Sequence, residues 1–386
     1  MIKRALDLKS IEVSCFLLGP RQVGKTCLIG ATLQPDFWID LLNQGEFIRY
    51  SKNPDTLFDE VQSHMTSKGT LVVIDEIQRC PELLNVVHRL LSKYNNIQFV
   101  LTGSSARKLR CRGVNLLGGR AATFHLHPFT ANELQDEFKL DVALRFGTLP
   151  KIYLAASEKN KQALLKGYVE TYLKEEVQQE ALTRNIPSFA RFLELAAFEN
   201  GNILNFSNLS REVGVDAKTL KGYFQVLEDT LLGFWLFPYA RSHRERLVKH
   251  PKFYFFDTGV CRALRGELAN ELVLGSSPYG YAFEHWILCE ARRTLDYGNR
   301  SVNLYFYATN NGTEVDLILE WPHHKTWAIE IKSSSQPNLT DLKGLKSFIS
   351  DHKVDRVICA CNTPRRYVTQ GIEFLPWHEF ISGLDQ

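Results

Sequence analysis

"EVSCFLLGPRQVGKTCLIGATL" occupies residues 12–33 of a 386-residue chain. An apolar run over 12–18 stops at a glycine, and a second apolar-periodic stretch opens at Thr26. That pattern reads as a buried strand, a tight loop and a helix. The loop, "GPRQVGKT", has the spacing G-x-x-x-x-G-K-[ST]. Its two glycines let the backbone wrap closely around a phosphate, and amides at the helix start donate to it. Gly19, Pro20, Arg21, Gln22, Val23, Gly24, Lys25, Thr26 and Cys27 are therefore the expected nucleotide contacts. Lys25 should reach the β and γ phosphates, and Thr26 should hold Mg²⁺ through its hydroxyl.

Two further strand patterns support the loop. "LVVIDEIQ" (71–78) is an apolar run ending in Asp75 and Glu76. A buried parallel strand delivers its last carboxylate to the edge where ligands bind. Asp75 is expected to bind Mg²⁺ through water, and Glu76 to activate the attacking water. "IQFVLTGSS" (97–105) ends in Thr102, Ser104 and Ser105, which suit contact with a γ-phosphate. "GGR" (118–120) and the strand "AATFHLHP" follow. This run of "TGSS", "GGR" and "PF" resembles the AAA-type ATPases of bacteria and archaea. The resemblance makes Arg120 a finger or sensor arginine; the other reading is a structural arginine paired with a carboxylate. No N-K-x-D guanine signature occurs, so ATP is expected over GTP.

The formal net charge of +3 is nearly neutral, so any nucleic-acid site must be a local patch. The length predicts two or three domains, and 44% hydrophobic residues can supply their cores. No apolar run reaches the length of a membrane span, so no membrane partner is expected. The first twenty residues flow into the loop without a small-residue cleavage site, unlike a leader. Eight cysteines include no C-x-x-C pair, and Cys15, Cys261, Cys289 and Cys359 read as buried free thiols. A reducing cytoplasm fits them.

Residues 130–195 have a helical pattern, including "KQALLKGYVETYLKEEVQQEAL" (161–182). "FSNLSREVGVDAKTLKGYFQVLEDTLLGFWLF" (206–237) then reads as a helix-turn-helix. Asn208 precedes the first helix, Gly214 makes the turn, and Asp216 caps the second. A returning strand would make the module winged. Lys218, Thr219 and Lys221 sit where a recognition helix meets DNA, or the module is a protein-docking unit. "RSHRERLVKHPK" (241–252) could track a phosphate backbone or be a solvated loop.

"GTEVDLILEWPHHKTWAIEIKSSS" (312–335) reads as a β-hairpin turning at His323. Val315, Leu317, Leu319, Trp327, Ile329 and Ile331 form its core face; Glu314, Asp316, Glu330 and Lys332 share the other. A turn there opposes Asp316 to Glu330 and Glu314 to Lys332. Opposed carboxylates need a proton or a metal between them, and oxygen ligands favour Mg²⁺ or Mn²⁺. Glu284 lies on a helical stripe with Ile287, Leu288, Ala291 and Leu295, and needs a polar partner in the core. The set Glu284, Asp316, Glu330-x-Lys332 resembles the PD-(D/E)XK nuclease superfamily, with Val315 in place of proline. The resemblance implies an αβββαβ core. It assigns metal binding to Asp316 and Glu330, assistance to Glu284, and orientation or activation of water to Lys332. The other readings are a solvated face with a Glu314–Lys332 pair and a nuclease fold kept only for docking or dimerisation.

The whole chain resembles a prokaryotic family of AAA-type ATP-binding proteins with a C-terminal domain of unknown function. The expected fold class is α/β: a P-loop AAA-type core (1–130), a helical lid and winged-helix-like region (131–245), and a restriction-endonuclease-like domain (246–386). The expected function is ATP hydrolysis coupled to a metal-dependent nuclease acting on DNA, with RNA as second candidate substrate. The alternative is an ATP-switched regulator with a silent C-terminal domain. A homo-oligomer is admitted, because Arg120 could act across subunits.

Overall fold

The computed structural model describes residues 2–105, 117–173, 186–240, 250–309 and 312–385. It divides into two compact units, Met1–Phe129 with Val226–Leu232, and Thr130–Gln225 with Gly233–Gln386.

In the first unit the leading apolar run forms β1 (Cys15–Leu18), and the loop after it enters α1 (Lys25–Thr32). Strands β2 (Phe37–Asp40), β3 (Thr70–Asp75), β4 (Ile97–Gly103) and β5 (Ala122–His125) complete the sheet, with α2 (Leu83–Lys93) connecting β3 to β4. All neighbours are parallel, in the order β2-β3-β4-β1-β5. Phe16, Ile74, Phe99 and Leu101 share a core with Leu83, Val87 and Leu90 of α2. The unbroken apolar runs follow from burial on both faces. Parallel strands also bring the carboxyl ends of β1, β3 and β4 to one edge.

The second unit opens with a capping box at Thr130 and Glu133. Among the described residues helices follow up to Leu173 and again over Ile186–Phe198, as the sequence pattern predicts there. Residues 174–182 of the amphipathic stretch lie outside the described residues, as do 241–249 of the basic stretch.

The helix-turn-helix layout is present as α3 (Phe206–Val213) and α4 (Ala217–Asp229), with Gly214 left-handed at φ 78°. The first helix starts earlier than expected. Asn205, not Asn208, is the cap, because its side-chain oxygen accepts the Ser207 and Asn208 amides at 3.1 Å.

Strand β6 (Gly233–Pro238) pairs antiparallel with β7 (Lys252–Phe255) and parallel with β8 (Asn303–Ala308). Helix α5 (Ser277–Tyr297) precedes β8, and β9 (Glu314–Trp321), β10 (Lys325–Lys332), α6 (Lys343–Asp351) and β11 (Arg356–Cys361) follow it. Strand β9 pairs antiparallel with β8 on one side and β10 on the other, and β11 runs parallel to β10. With β12 (Tyr367–Thr369) and β13 (Ile372–Pro376) they form one eight-stranded sheet.

The hairpin register is the one read from its turn: Lys325 opposes Trp321, and Ile329 opposes Leu317. Its second face is not open, however. Leu317, Leu319, Ile329 and Ile331 pack with Ile287, Leu288 and Ala291 of α5. Ile318 and Ala328 on the other side pack with Leu345 and Phe348 of α6. Val315, expected with Leu317 and Leu319, packs on this α6 side instead. Cys15, Cys261, Cys289 and Cys359 are buried free thiols, as expected. No helix of the described residues is long and apolar enough to cross a membrane.

Candidate functional site

The loop after β1 is held by local geometry. Gly24 takes φ 94° and Gln22 φ 64°, left-handed values that favour glycine and are uncommon for glutamine. Gly19 cannot carry a side chain, since a Cβ would collide with the Leu126 carbonyl oxygen. Val23 is fully buried, and Arg4 donates to its carbonyl at 2.8 Å and to that of His127 at 2.6 Å. Cys27 lies exposed in the first turn of α1.

Lys25 is 6% exposed, and its amine donates to the carbonyls of Gly19 and Pro20 at 2.8 and 3.2 Å. Burial lowers its pKa, opposed by the nearby Glu76 and Asp75 carboxylates. The Thr26 hydroxyl donates to Asp75 Oδ2 at 2.8 Å, and the Thr102 hydroxyl donates to Asp75 Oδ1. Thr102 also accepts the Glu76 amide at 3.0 Å. Glu76 is left-handed at φ 60° and bonds through its carboxylate to Gln78 Nε2, which donates to Ser104 Oγ at 3.0 Å. A buried ammonium, a hydroxyl–carboxylate pair and polar strand ends fit a nucleoside triphosphate with Mg²⁺.

Arg120 is exposed and sits against α2, where it donates to Ser92 Oγ and lies 2.9 Å from His88 Nε2. Its observed partners are therefore not carboxylates. On α4, Lys218 and Lys221 are exposed, and Lys221 lies over the Phe206 ring. Thr219 is committed to the cap: its amide and hydroxyl both donate to Asp216.

The hairpin carboxylates form a mostly buried cluster. Asp316 Oδ2 accepts the Ile331 amide at 2.7 Å. Glu330 Oε1 accepts the Lys332 amine at 2.7 Å, whereas its Oε2 is buried without a partner. Burial, reinforced by Asp316, pushes the Glu330 carboxyl up to about 8. Burial and Asp316 likewise push Glu284 to about 7. Asp316 and Glu330 raise the Lys332 ammonium in spite of its burial.

Two expected pairings differ. Glu314 joins Lys252 instead of Lys332, which is taken by the nearer Glu330. Glu284, half-buried on α5, accepts the Tyr254 hydroxyl at 2.8 Å and has the Lys252 amine 3.9 Å away. It is not grouped with Asp316 and Glu330 as three ligands of one ion; no such trio of Asp, Glu, His or Cys exists among the described residues. Sequence reasoning misses Lys252 and Tyr254 here, and Arg4 and Gln78 at the loop. The signal for the first two is the alternation of Lys252 and Tyr254 along one strand.

Residues 13–135 match the family model described as an AAA domain. Residues 137–271 and 279–380 match two families each described as a domain of unknown function, DUF8612 and DUF4143. Uncharacterized proteins of Mycobacterium tuberculosis and Mycobacterium bovis are each 27% identical over 361 residues, covering 92% of this chain and 77% of theirs. A DNA polymerase III gamma subunit-related protein of Thermotoga maritima superposes with a TM-score of 0.30 at 13% identity. It covers 56% of this chain and 94% of its own. The Bacillus subtilis DNA clamp loader delta protein gives 0.26 at 14%, covering 73% and 96%. Neither superposition carries an argument about this chain. The family matches do: the chain joins an N-terminal AAA domain of the P-loop type to a C-terminal domain of a family of unknown function.

Proposed function

We propose that the chain binds and hydrolyses ATP and couples this to a metal-dependent nuclease-like domain acting on DNA. Residues 1–130 form the ATPase core, 131–245 the lid and winged-helix-like region, and 246–386 the PD-(D/E)XK-like domain. In the first, Gly19 to Cys27 cradle the phosphates and Lys25 reaches the terminal ones. Thr26 and Asp75 hold Mg²⁺, which neutralises phosphate charge when bound. Glu76 takes the proton of the attacking water, while Thr102 positions Asp75 and the Glu76 amide. Arg120 acts as a finger or sensor arginine, in its own chain or across a subunit boundary.

In the last part, Asp316 and Glu330 hold a divalent ion, Mg²⁺ or Mn²⁺. Such an ion makes bound water a stronger nucleophile. Lys332 would orient or activate the attacking water. One observation carries this reading: Asp316 on β9 stands beside the Glu330–Lys332 pair on β10, within the order α5-β8-β9-β10-α6-β11. Purified protein should nick supercoiled plasmid with Mn²⁺ or Mg²⁺, with a rate that changes on adding ATP. An uncut plasmid in every metal, with and without ATP, rejects the nuclease. A second reading, an ATP-switched DNA- or protein-binding regulator, is favoured by the bond that already occupies Lys332.

A further inference from the structure

Strand β7 sends two side chains into the carboxylate cluster. Lys252 is 4% exposed; its amine pairs with Glu314, approaches Glu284 and lies over the Phe306 ring. Tyr254, two positions on, binds Glu284 through its hydroxyl. A lysine buried this deeply needs its charge matched, and Glu284 and Glu314 match it.

The cluster therefore has two halves. Glu284 and Glu314 are served by Lys252 and Tyr254. Asp316 is served by a backbone amide, and Glu330 by Lys332, with one buried Glu330 oxygen unpartnered. Fully ionised, Glu284, Glu314, Asp316 and Glu330 exceed Lys252 and Lys332 by two negative charges, the charge of one divalent ion. Mg²⁺ commonly takes only one or two carboxylates and keeps several waters, so Asp316 and Glu330 suffice as its protein carboxylates.

We propose that Lys252 is the fixed cation of this cluster, a positioning residue that withholds Glu284 and Glu314 from metal. One divalent ion, not two, then completes the site at Asp316 and Glu330. The proposal rests on the nuclease-like reading above, and it reassigns Glu284 from the ion to Lys252.

The test counts Mn²⁺ bound per chain by electron paramagnetic resonance, without nucleotide. The parent should bind one ion that Asp316→Asn loses. Lys252→Met, with Glu284 and Glu314 released, should bind a second, and Lys252→Arg should keep one. Glu314→Gln leaves the lysine in place and should also keep one, so the proposal stays testable if Lys252→Met does not fold. One ion in both parent and Lys252→Met, or loss of the ion in Glu314→Gln, overturns the proposal and leaves the nuclease-like reading standing. A parent that binds no ion at this cluster overturns the metal-dependent reading itself.

Discussion

The Thr26 hydroxyl donates to Asp75 Oδ2 at 2.8 Å, so the end of the phosphate loop and the end of β3 meet in one site. Thr102 bonds the other oxygen of the same carboxylate. Removing the cradle and removing the base should therefore have separable effects. Lys25→Ala is expected to abolish ATP binding. Glu76→Gln should bind ATP and lose turnover by about 100-fold or more, the range of a general base. Nucleotide titration and steady-state hydrolysis check both. A parental rate in Glu76→Gln would remove Glu76 from that role.

Arg120 is exposed against α2, beside His88 and Ser92. If it serves a neighbouring subunit, the ATPase rate per chain should rise with protein concentration. Mixing Lys25→Ala protein, inactive but with Arg120 intact, into Arg120→Ala protein should restore part of the rate. A concentration-independent rate without rescue leaves Arg120 either as a residue that braces α2 or as one acting on the nucleotide of its own chain.

The two exposed lysines at the start of α4 give the DNA test. Lys218→Ala with Lys221→Ala should weaken duplex binding. The salt dependence should flatten by about 0.9 logarithmic units for each DNA phosphate left without its lysine. Asp216 must stay, since it caps the helix through the Lys218 and Thr219 amides. Equal affinity and slope in parent and variant would make α4 a docking helix.

The parts legible in the sequence are those whose chemistry dictates local spacing. The phosphate loop is one: Gly19 and Gly24 stand where a Cβ collides or φ turns positive. The hairpin is another, because a turn at His323 fixes every pair from Lys325–Trp321 to Ile329–Leu317. Glu284 is legible as a core-facing carboxylate, but its partners are not. Tyr254 and Lys252 sit about thirty residues upstream in a run that reads as an ordinary buried strand. Period-two alternation puts Val315 on the face opposite Ile318, whereas the folded chain packs Val315, Ile318 and Ala328 together with Leu345 and Phe348 of α6. Arg4 has no periodic context at all, and only the folded chain brings it to the Val23 carbonyl.

The last prediction uses the charge of the hairpin cluster. Glu330 and Glu284 titrate near 8 and 7, raised by burial and then by Asp316, with Lys332 and Lys252 opposing. An unfolded glutamate titrates near about 4.3. Between these limits the folded protein holds more protons than the unfolded one, so stability must fall as pH rises from about 4.3 toward 8. Glu330→Gln removes part of this slope. It should melt with the parent near pH 5 and above it near pH 8.5, by on the order of 2 kcal/mol. Asp316→Asn keeps an oxygen for the Ile331 amide and relieves the same repulsion, so in chelator it too should melt above the parent. Millimolar Mn²⁺ should then stabilise the parent and leave Asp316→Asn unmoved, because the ion replaces the protons only where both carboxylates remain. Plasmid cleavage should vanish in Asp316→Asn and in Lys332→Ala, but only the first should lose the stabilisation. Thermal melts across pH, each with chelator and with Mn²⁺, decide the matter. A parent with a flat pH profile and no response to Mn²⁺ would make the cluster a closed ion-pair network and the C-terminal domain a scaffold.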